Sequence, residues 1–359
     1  MPATSGCRKL LRVGTDDAAT RGSPSIYDIA REAGVSPSTV SRALSKPGRV
    51  SFATAEHIRG VANRLGYRVT PAHRSLDGDG PRTLAMMVAD ITNPVFFGMI
   101  RGAERTALHA GYTLVLAESQ EVEENERQAL ERLLPSVAGL VLTSSRLADG
   151  AVRTLAKRTP LVVLNRLVDQ VPSVACDNIK AMKKVVEHLG GHGHRSITYL
   201  AGPDASWANG QRWRGLLEAG HELDLTVRRL GPFLPTVAGG RQAASAWAGA
   251  RTTAVVTYND LLAIGFLEAV TAAGVRVPEQ VSVVGFDDIR DASLVRPRLT
   301  SVRSPLVSLG SAAVNHLLRT RTLPVHSDDR VVLPAQVVVR ESSGPVATRR
   351  SAAVGAVAT

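Results

Sequence analysis

The sequence predicts an α/β protein: a small N-terminal helix-turn-helix headpiece of three helices, followed by two doubly wound α/β subdomains. Three observations predict it. Residues 25–66 hold three short helix signals in quick succession, and from Thr83 onward short apolar runs alternate with amphipathic helical stretches. About 260 residues of such alternating units exceed one comfortable core, so they divide into two. The 359-residue chain is 44% apolar, enough for a sizeable core, and no apolar run is long enough to span a membrane.

The headpiece is read first. Ser25 and Asp28 have capping-box form, opening a helix with Ile26, Ile29 and Ala30 on one face. Gly34 can take the positive φ of a turn. Ser36 caps a second helix with Pro37 at its first position, where a missing N–H costs nothing. Val40 and Leu44 form that helix's buried side, leaving Ser38, Thr39, Ser41 and Arg42 on the rest. Ser51 caps a third helix with an apolar stripe of Ile58, Val61 and Leu65, ending at Gly66. Two short helices joined by a Gly-containing turn form a helix-turn-helix, and short polar side chains with an Arg suit a major groove.

Charge supports this placement. Residues 1–82 carry 13 Lys/Arg against 7 Asp/Glu, more than half of the net +11, so a polyanion partner is expected for this part of the chain only. Cys7 and Cys176 are the only cysteines, which excludes a disulfide framework. No apolar core follows Arg8, Lys9 and Arg12, so no secretory signal is expected and a cytoplasmic location fits.

The body follows. The buried-strand runs are Leu84–Ala89, Thr113–Ala117, Gly139–Thr143, Leu161–Leu164, Val174–Cys176, Ile197–Ala201, Ala254–Thr257, Val281–Phe286 and Val331–Val339. Helices are expected between them at Phe97–Ala110, Asn178–Leu189, Gln211–Ala219, Asp260–Ala273 and Leu306–Leu318. Ligands of open parallel sheets bind beyond the carboxyl ends of the strands. Asp90, Asn93, Thr143, Asn165, Asp177, Asn259, Asp260 and Asp287 cluster there, although capping would also explain Asp177, Asn178 and Asp260. His188, His192 and His194 imitate a metal cluster without a fourth ligand nearby, and no metal or cofactor is expected. Gly191–Ser196 half-imitates a dinucleotide loop but leads from helix into strand, the wrong topology for one.

The string Ile26–Leu44, with Pro47-Gly-Arg-Val-Ser51 and Leu65-Gly-Tyr67, closely resembles the headpiece of the lactose-repressor (LacI/GalR) family. The likeness continues through Asp90–Pro94, Gly193-His-Arg195, Ala201-Gly-Pro203, Asn259-Asp260, Ser282–Asp288 and Leu299-Thr-Ser301, in family order over roughly 24–343. It implies the headpiece at 24–68 and a hinge at 69–82, while composition marks 1–23, rich in Gly, Ser, Thr and Asp, as a disordered tail and 344–359, rich in Ala, Val and Ser, as a flexible one. Between them, 83–343 forms a two-lobed ligand-binding and dimerisation domain of the periplasmic-binding-protein-like type I fold. It also implies that Pro37, Ser38 and Arg42 read bases of a double-stranded operator, with Ser36, Thr39 and Ser41 placed for phosphates or nearby bases. His73 and Leu76 belong to the DNA-contacting hinge, Leu76 as a minor-groove wedge. Val69 stands where a Pro is usual, Pro71 falls early in the hinge helix, and Asp77 and Asp79 bring carboxylates near phosphates.

By the same resemblance, Phe96, Phe97, Thr143, Asn165, Ser206, Ala208, Arg212, Asn259 and Asp287 line an effector site. Arg212 and Asp287 are its strongest members, a charged fork and a carboxylate on opposite lobes that could clamp a hydroxyl-rich ligand. The expected protein is a non-enzymatic, homodimeric or tetrameric transcriptional repressor switched by a sugar-like effector. A purine or other small metabolite is the alternative effector. A transporter's solute-binding protein would share the two-lobed body but would need an export signal and no helix-turn-helix. An α/β enzyme finds no Gly-x-Ser-x-Gly, Walker loop or sound dinucleotide motif.

Overall fold

The computed structural model describes residues 25–45, 50–65, 81–320 and 329–346. The side chain of Leu44 and the hinge positions Val69, Pro71, His73, Leu76, Asp77 and Asp79 lie outside the described residues. The chain divides into two units, before and after the 74/75 boundary.

The first unit holds helices α1 (Ile26–Ala33), α2 (Pro37–Ser45) and α3 (Phe52–Arg64). Local caps start each one. Ser25 and Asp28 close a reciprocal capping box, with Ser25 N–H donating to Asp28 Oδ2 at 2.9 Å and Asp28 N–H to Ser25 Oγ at 3.4 Å. Gly34 ends α1 at φ 66, a left-handed value that a Cβ would disfavour. Ser36 Oγ accepts from Thr39 N–H at 3.2 Å and Ser51 Oγ from Thr54 N–H at 3.3 Å. Ile29, Ala30, Val40, Ala43, Ile58, Val61 and Ala62 form the core among the three helices.

The second unit has two lobes, each around a six-stranded sheet. The first lobe begins with β1 (Thr83–Val88), α4 (Val95–His109), β2 (Thr113–Glu118), α5 (Glu123–Leu133), β3 (Gly139–Thr143), α6 (Asp149–Ala156), β4 (Leu161–Leu164) and β5 (Ser173–Cys176). The chain then crosses into the second lobe with α7 (Asn178–Gly191), β6 (Ser196–Leu200), α8 (Trp207–Glu222), β7 (Thr226–Leu230), α9 (Val237–Ala248), β8 (Ala254–Thr257), α10 (Asp260–Ala272), β9 (Ser282–Asp287) and β10 (Thr300–Arg303). It returns to the first lobe for α11 (Leu306–Thr320) and β11 (Arg330–Leu333), then ends in the second with β12 (Gln336–Val338). Strand orders are β11-β5-β4-β3-β1-β2 and β12-β10-β9-β8-β6-β7, all parallel except β12 against β10.

Both sheets are buried on two faces, so their strands read as continuous apolar runs. Side-chain alternation divides each run between layers. Leu84, Met86 and Val88 of β1 enter one core with α4 and α11, while Ala85 and Met87 enter another with Leu130 of α5 and Val152 of α6. Val283 likewise parts from Val284 and Phe286 on β9. Helices α4 and α11 meet at backbone distance: a Cβ on Gly310 would lie 1.9 Å from Met99 O, and one on Gly102 2.0 Å from Val307 O. Only glycine fits either place.

Several expectations change in detail. The run Val331–Val339 is two strands in two different sheets, because Pro334 lacks an N–H for the ladder and the chain turns between lobes there. Helix α8 starts at Trp207 rather than Gln211, capped by Ser206 Oγ, which accepts from Asn209 N–H at 3.3 Å. The segment after 343 does not become free at once. Gly344 O accepts from the Ser282 hydroxyl at 3.1 Å, and Val346 N–H donates to His192 O at 3.0 Å. Among the described residues no helix is long and apolar enough to cross a membrane.

Candidate functional site

In the headpiece, the exposed surface of α2 carries Pro37, Ser38, Ser41 and Arg42, with Ser36 just before it. Thr39 is half-buried, and its hydroxyl lies 2.8 Å from that of Ser36, which is also 2.9 Å from that of Ser38. These contacts fix the helix start as one hydroxyl-rich cluster. Arg42 makes no ion pair among the described residues and keeps its full fork of donors.

In the body, a narrow cleft lies between the lobes. The first lobe lines it with Asn93, Val95, Phe96, Glu121, Ser144, Arg146 and Asn165; the second contributes Arg212, Pro235, Tyr258, Asn259 and Asp287. Backbone conformation marks the same place. Eight non-glycine residues have positive φ among the described residues; six stand at strand ends, and four of these, Glu121, Ser144, Asn165 and Asp287, line the cleft. The six are Gln120 and Glu121 after β2, Ser144 after β3, Asn165 after β4, and Asp287 and Asp288 at the end of β9. Such conformations cost about 1–3 kcal/mol each and concentrate where geometry serves function.

Arg212 rises from α8 with its guanidinium almost wholly buried. Its Nε donates to Asn178 Oδ1 at 3.0 Å, one terminal nitrogen donates to Tyr258 O, and the other reaches Asp287 Oδ1 at 3.5 Å. The guanidinium also lies 3.5 Å from the centroid of the Phe286 ring. Burial raises the Asp287 carboxyl to about 6, with the Arg212 charge opposing the rise. Behind it, burial and then the Asp287 charge push Asp260 well above the usual carboxylate range. Asp260 does not cap α10: it accepts from the Ser301 hydroxyl at 2.6 Å and from Ile289 N–H at 2.9 Å, pinning the turn that follows Asp287. The cap of α10 is Asn259, which accepts from Leu262 N–H at 3.0 Å and donates to Pro235 O at 3.1 Å.

The nine expected effector residues divide. Phe96, Asn165, Arg212, Asn259 and Asp287 line the cleft together. Ser206 and Ala208 line an adjoining recess with Ser144, Arg146, Asn165, Arg166 and Trp207, and the Ser206 hydroxyl lies 3.0 Å from that of Tyr258. Phe97 is 56% exposed on α4 and does not line the cleft. Thr143 is buried at the end of β3, its hydroxyl without a hydrogen-bond partner. Arg212 and Asp287 do not come from opposite lobes. Both belong to the second and pair with each other, Arg212 from α8 and Asp287 from the end of β9.

Sequence reasoning missed Glu121 and Arg146. They follow β2 and β3 by a few residues, the relation that flagged Asn165 and Asp287, but neither directly ends an apolar run. The three clustered histidines serve the fold. His188 Nε2 lies 2.9 Å from Ser343 Oγ; His194 has Thr253 Oγ1 at 2.9 Å on one ring nitrogen, with Ser282 Oγ at 3.0 Å and Gly344 O at 3.1 Å on the other. They fasten the end of the body to the base of the second lobe. Among the described residues no group of His, Cys, Asp or Glu is arranged to hold a metal ion.

Known proteins share both units. Residues 25–69 match the lacI family of bacterial regulatory proteins, and residues 186–343 match the periplasmic binding protein-like domain. The HTH-type transcriptional regulator GalR of Salmonella typhimurium is 33% identical over 296 residues, spanning 80% of this chain and 86% of its own length. Among solved structures, the lac repressor dimer bound to operator and the anti-inducer ONPF is 26% identical with a TM-score of 0.68, covering 90% of this chain and 100% of that one. A complex of the transcriptional regulator CelR with cellobiose is 28% identical with a TM-score of 0.67, covering 89% and 100%. The chain therefore belongs to the lacI family of bacterial regulatory proteins, DNA-binding transcriptional regulators and not enzymes.

Proposed function

We propose that this regulator is a cytoplasmic, homodimeric repressor whose operator affinity is switched by a neutral, hydroxyl-rich small molecule, a sugar or sugar derivative, bound in the cleft. One observation carries the effector class. Each charged group lining the cleft has its counter-ion in the same wall, Glu121 with Arg146 and Arg212 with Asp287, so the site asks for no net charge from its ligand. The amides of Asn93, Asn165 and Asn259 offer both donors and acceptors, and the Phe96 ring suits the apolar face of a sugar ring. Binding of cellobiose by a structural relative agrees with this.

On the DNA side, Pro37, Ser38 and Arg42 read bases, with Ser36, Thr39 and Ser41 at phosphates or nearby bases. The hinge residues His73 and Leu76 add contacts toward the minor groove. One short helix reads too few bases for specificity, so two copies on a pseudo-palindromic site are required. The ligand switches affinity by binding one arrangement of the lobes better than the other, since equal affinity shifts nothing.

Operator binding measured by fluorescence anisotropy, with and without members of a panel of sugars, polyols and purines, tests this reading. A sugar that stabilises the protein by roughly 2.7 kcal/mol at about 100 times its Kd and shifts operator affinity supports it. A response to a purine alone overturns the effector class, and failure to bind any pseudo-palindromic duplex overturns the dimeric readout.

A further inference from the structure

Glu121 and Arg146 form a second ion pair on the wall of the cleft contributed by the first lobe. Arg146 Nε donates to Glu121 Oε2 at 2.7 Å, and a terminal guanidinium nitrogen donates to the same oxygen. The Arg146 side chain is 7% exposed and that of Glu121 30%, so the pair is sheltered yet open on the cleft side. Its backbone is held in place from both ends. Gln120 and Glu121 adopt left-handed conformations at φ 53 and 61, with Glu121 N–H donating to Ala89 O at 2.9 Å. Arg146 N–H donates at 2.9 Å to Glu126 Oε2, the carboxylate of a wholly buried residue of α5.

A guanidinium beside a carboxylate sets a donor next to an acceptor. Two adjacent hydroxyls of a ring match that arrangement, one accepting from Arg146 and the other donating to Glu121. The opposite wall repeats the device with Arg212 and Asp287. A ligand carboxylate or phosphate would find Arg146 already neutralised and would approach Glu121 against like charge, which selects against acids as well as for diols.

We propose that Glu121 and Arg146 are a specificity-determining pair that reads one vicinal-diol edge of a neutral cyclic polyol, while Arg212 and Asp287 hold another, and that Glu121 excludes the corresponding sugar acids. This rests on the sugar reading above and narrows it to rings carrying two diol edges.

Calorimetry on the full-length protein with D-galactose, D-glucose, D-ribose, D-galacturonate and adenosine tests it. At least one neutral sugar binds the unaltered protein more tightly than D-galacturonate. Arg146→Met weakens that sugar about tenfold or more, as expected for loss of a charged hydrogen-bond donor, and Arg146→Lys recovers part of the loss. Glu121→Gln weakens the sugar and strengthens D-galacturonate about tenfold, because the cation is released. That gain remains readable even if Arg146→Met fails to fold. Neutral-sugar binding that is unchanged in Arg146→Met, or no gain for D-galacturonate in Glu121→Gln, overturns the pair's assignment while leaving the sugar reading intact. Adenosine binding with no sugar binding overturns both.

Discussion

Arg212 and Asp287 approach no closer than 3.5 Å although both are almost wholly buried, while Arg212 is held more tightly by Asn178 and Tyr258. The carboxylate is therefore left with acceptor capacity that its own partner does not consume. A ligand hydroxyl can take it up without breaking the pair. Arg212→Ala and Asp287→Ala should each abolish the effector's influence on operator affinity while binding to DNA without effector persists. Calorimetry showing undiminished effector binding in both variants would remove them from the site.

The raised Asp287 carboxyl gives the site a pH dependence with a definite sign. Its value of about 6 in the fold exceeds the ordinary 3.8, so its contribution to stability is complete below 3.8 and is lost as pH rises through about 6. Effector affinity should run the other way, rising between pH 5 and pH 7 as the carboxylate ionises and accepts. In Asp287→Asn that rise should disappear. A profile unchanged by the substitution would place the titrating group elsewhere.

In the headpiece, Arg42→Ala should cost roughly 1–3 kcal/mol of operator affinity and relax preference at one base position per half-site. Anisotropy against a set of single-base operator variants distinguishes the outcomes. Equal weakening on every sequence would mean that Arg42 touches phosphate only.

The hinge carries its own expectation from sequence. Leu76→Ala should reduce DNA bending and specific affinity with effector binding unaltered. Replacing Asp77 and Asp79 by Asn should tighten operator binding, most visibly at low salt, where like-charge repulsion is least screened. Unchanged affinity in the double variant would show that the acidic pair lies away from DNA.

The contact between α4 and α11 tolerates no side chain at Gly310. Gly310→Ala places a methyl group 1.9 Å from Met99 O, and the helices must separate. Thermal denaturation should register a loss of about 1–3 kcal/mol or more. A substitution without effect on Tm would mean that the helices sit farther apart in solution.

How much of this was legible in the sequence depended on how local the cause was. The caps at Ser25, Ser36 and Ser51 lie within three residues of the groups they satisfy, so the headpiece could be read directly. The strands were legible because burial on both faces makes apolar runs. Strand β7, Thr-Val-Arg-Arg-Leu, was missed because it is an edge strand with exposed arginines. Helix α5 was missed because charged residues surround it and a glutamate, Glu126, occupies a buried position. Asn165 and Asp287 could be placed since each closes or follows an apolar run. The pairing of Arg212 with Asp287 on one lobe, and of Glu121 with Arg146 on the other, depends on crossovers that spacing along the chain does not reveal.

The passages of the chain between the lobes have a consequence for how the molecule comes into being. The first lobe lacks α11 and β11 until β6 to β10 of the second lobe have left the ribosome. Until then the face of α4 around Gly102 and one side of β5 have no cover. The first-synthesised half of the body must wait, partly open, for the last-synthesised helix. Nascent chains stalled before residue 306 should therefore remain sensitive to protease in the first lobe and call on chaperones, whereas domains made of one contiguous segment close as they emerge.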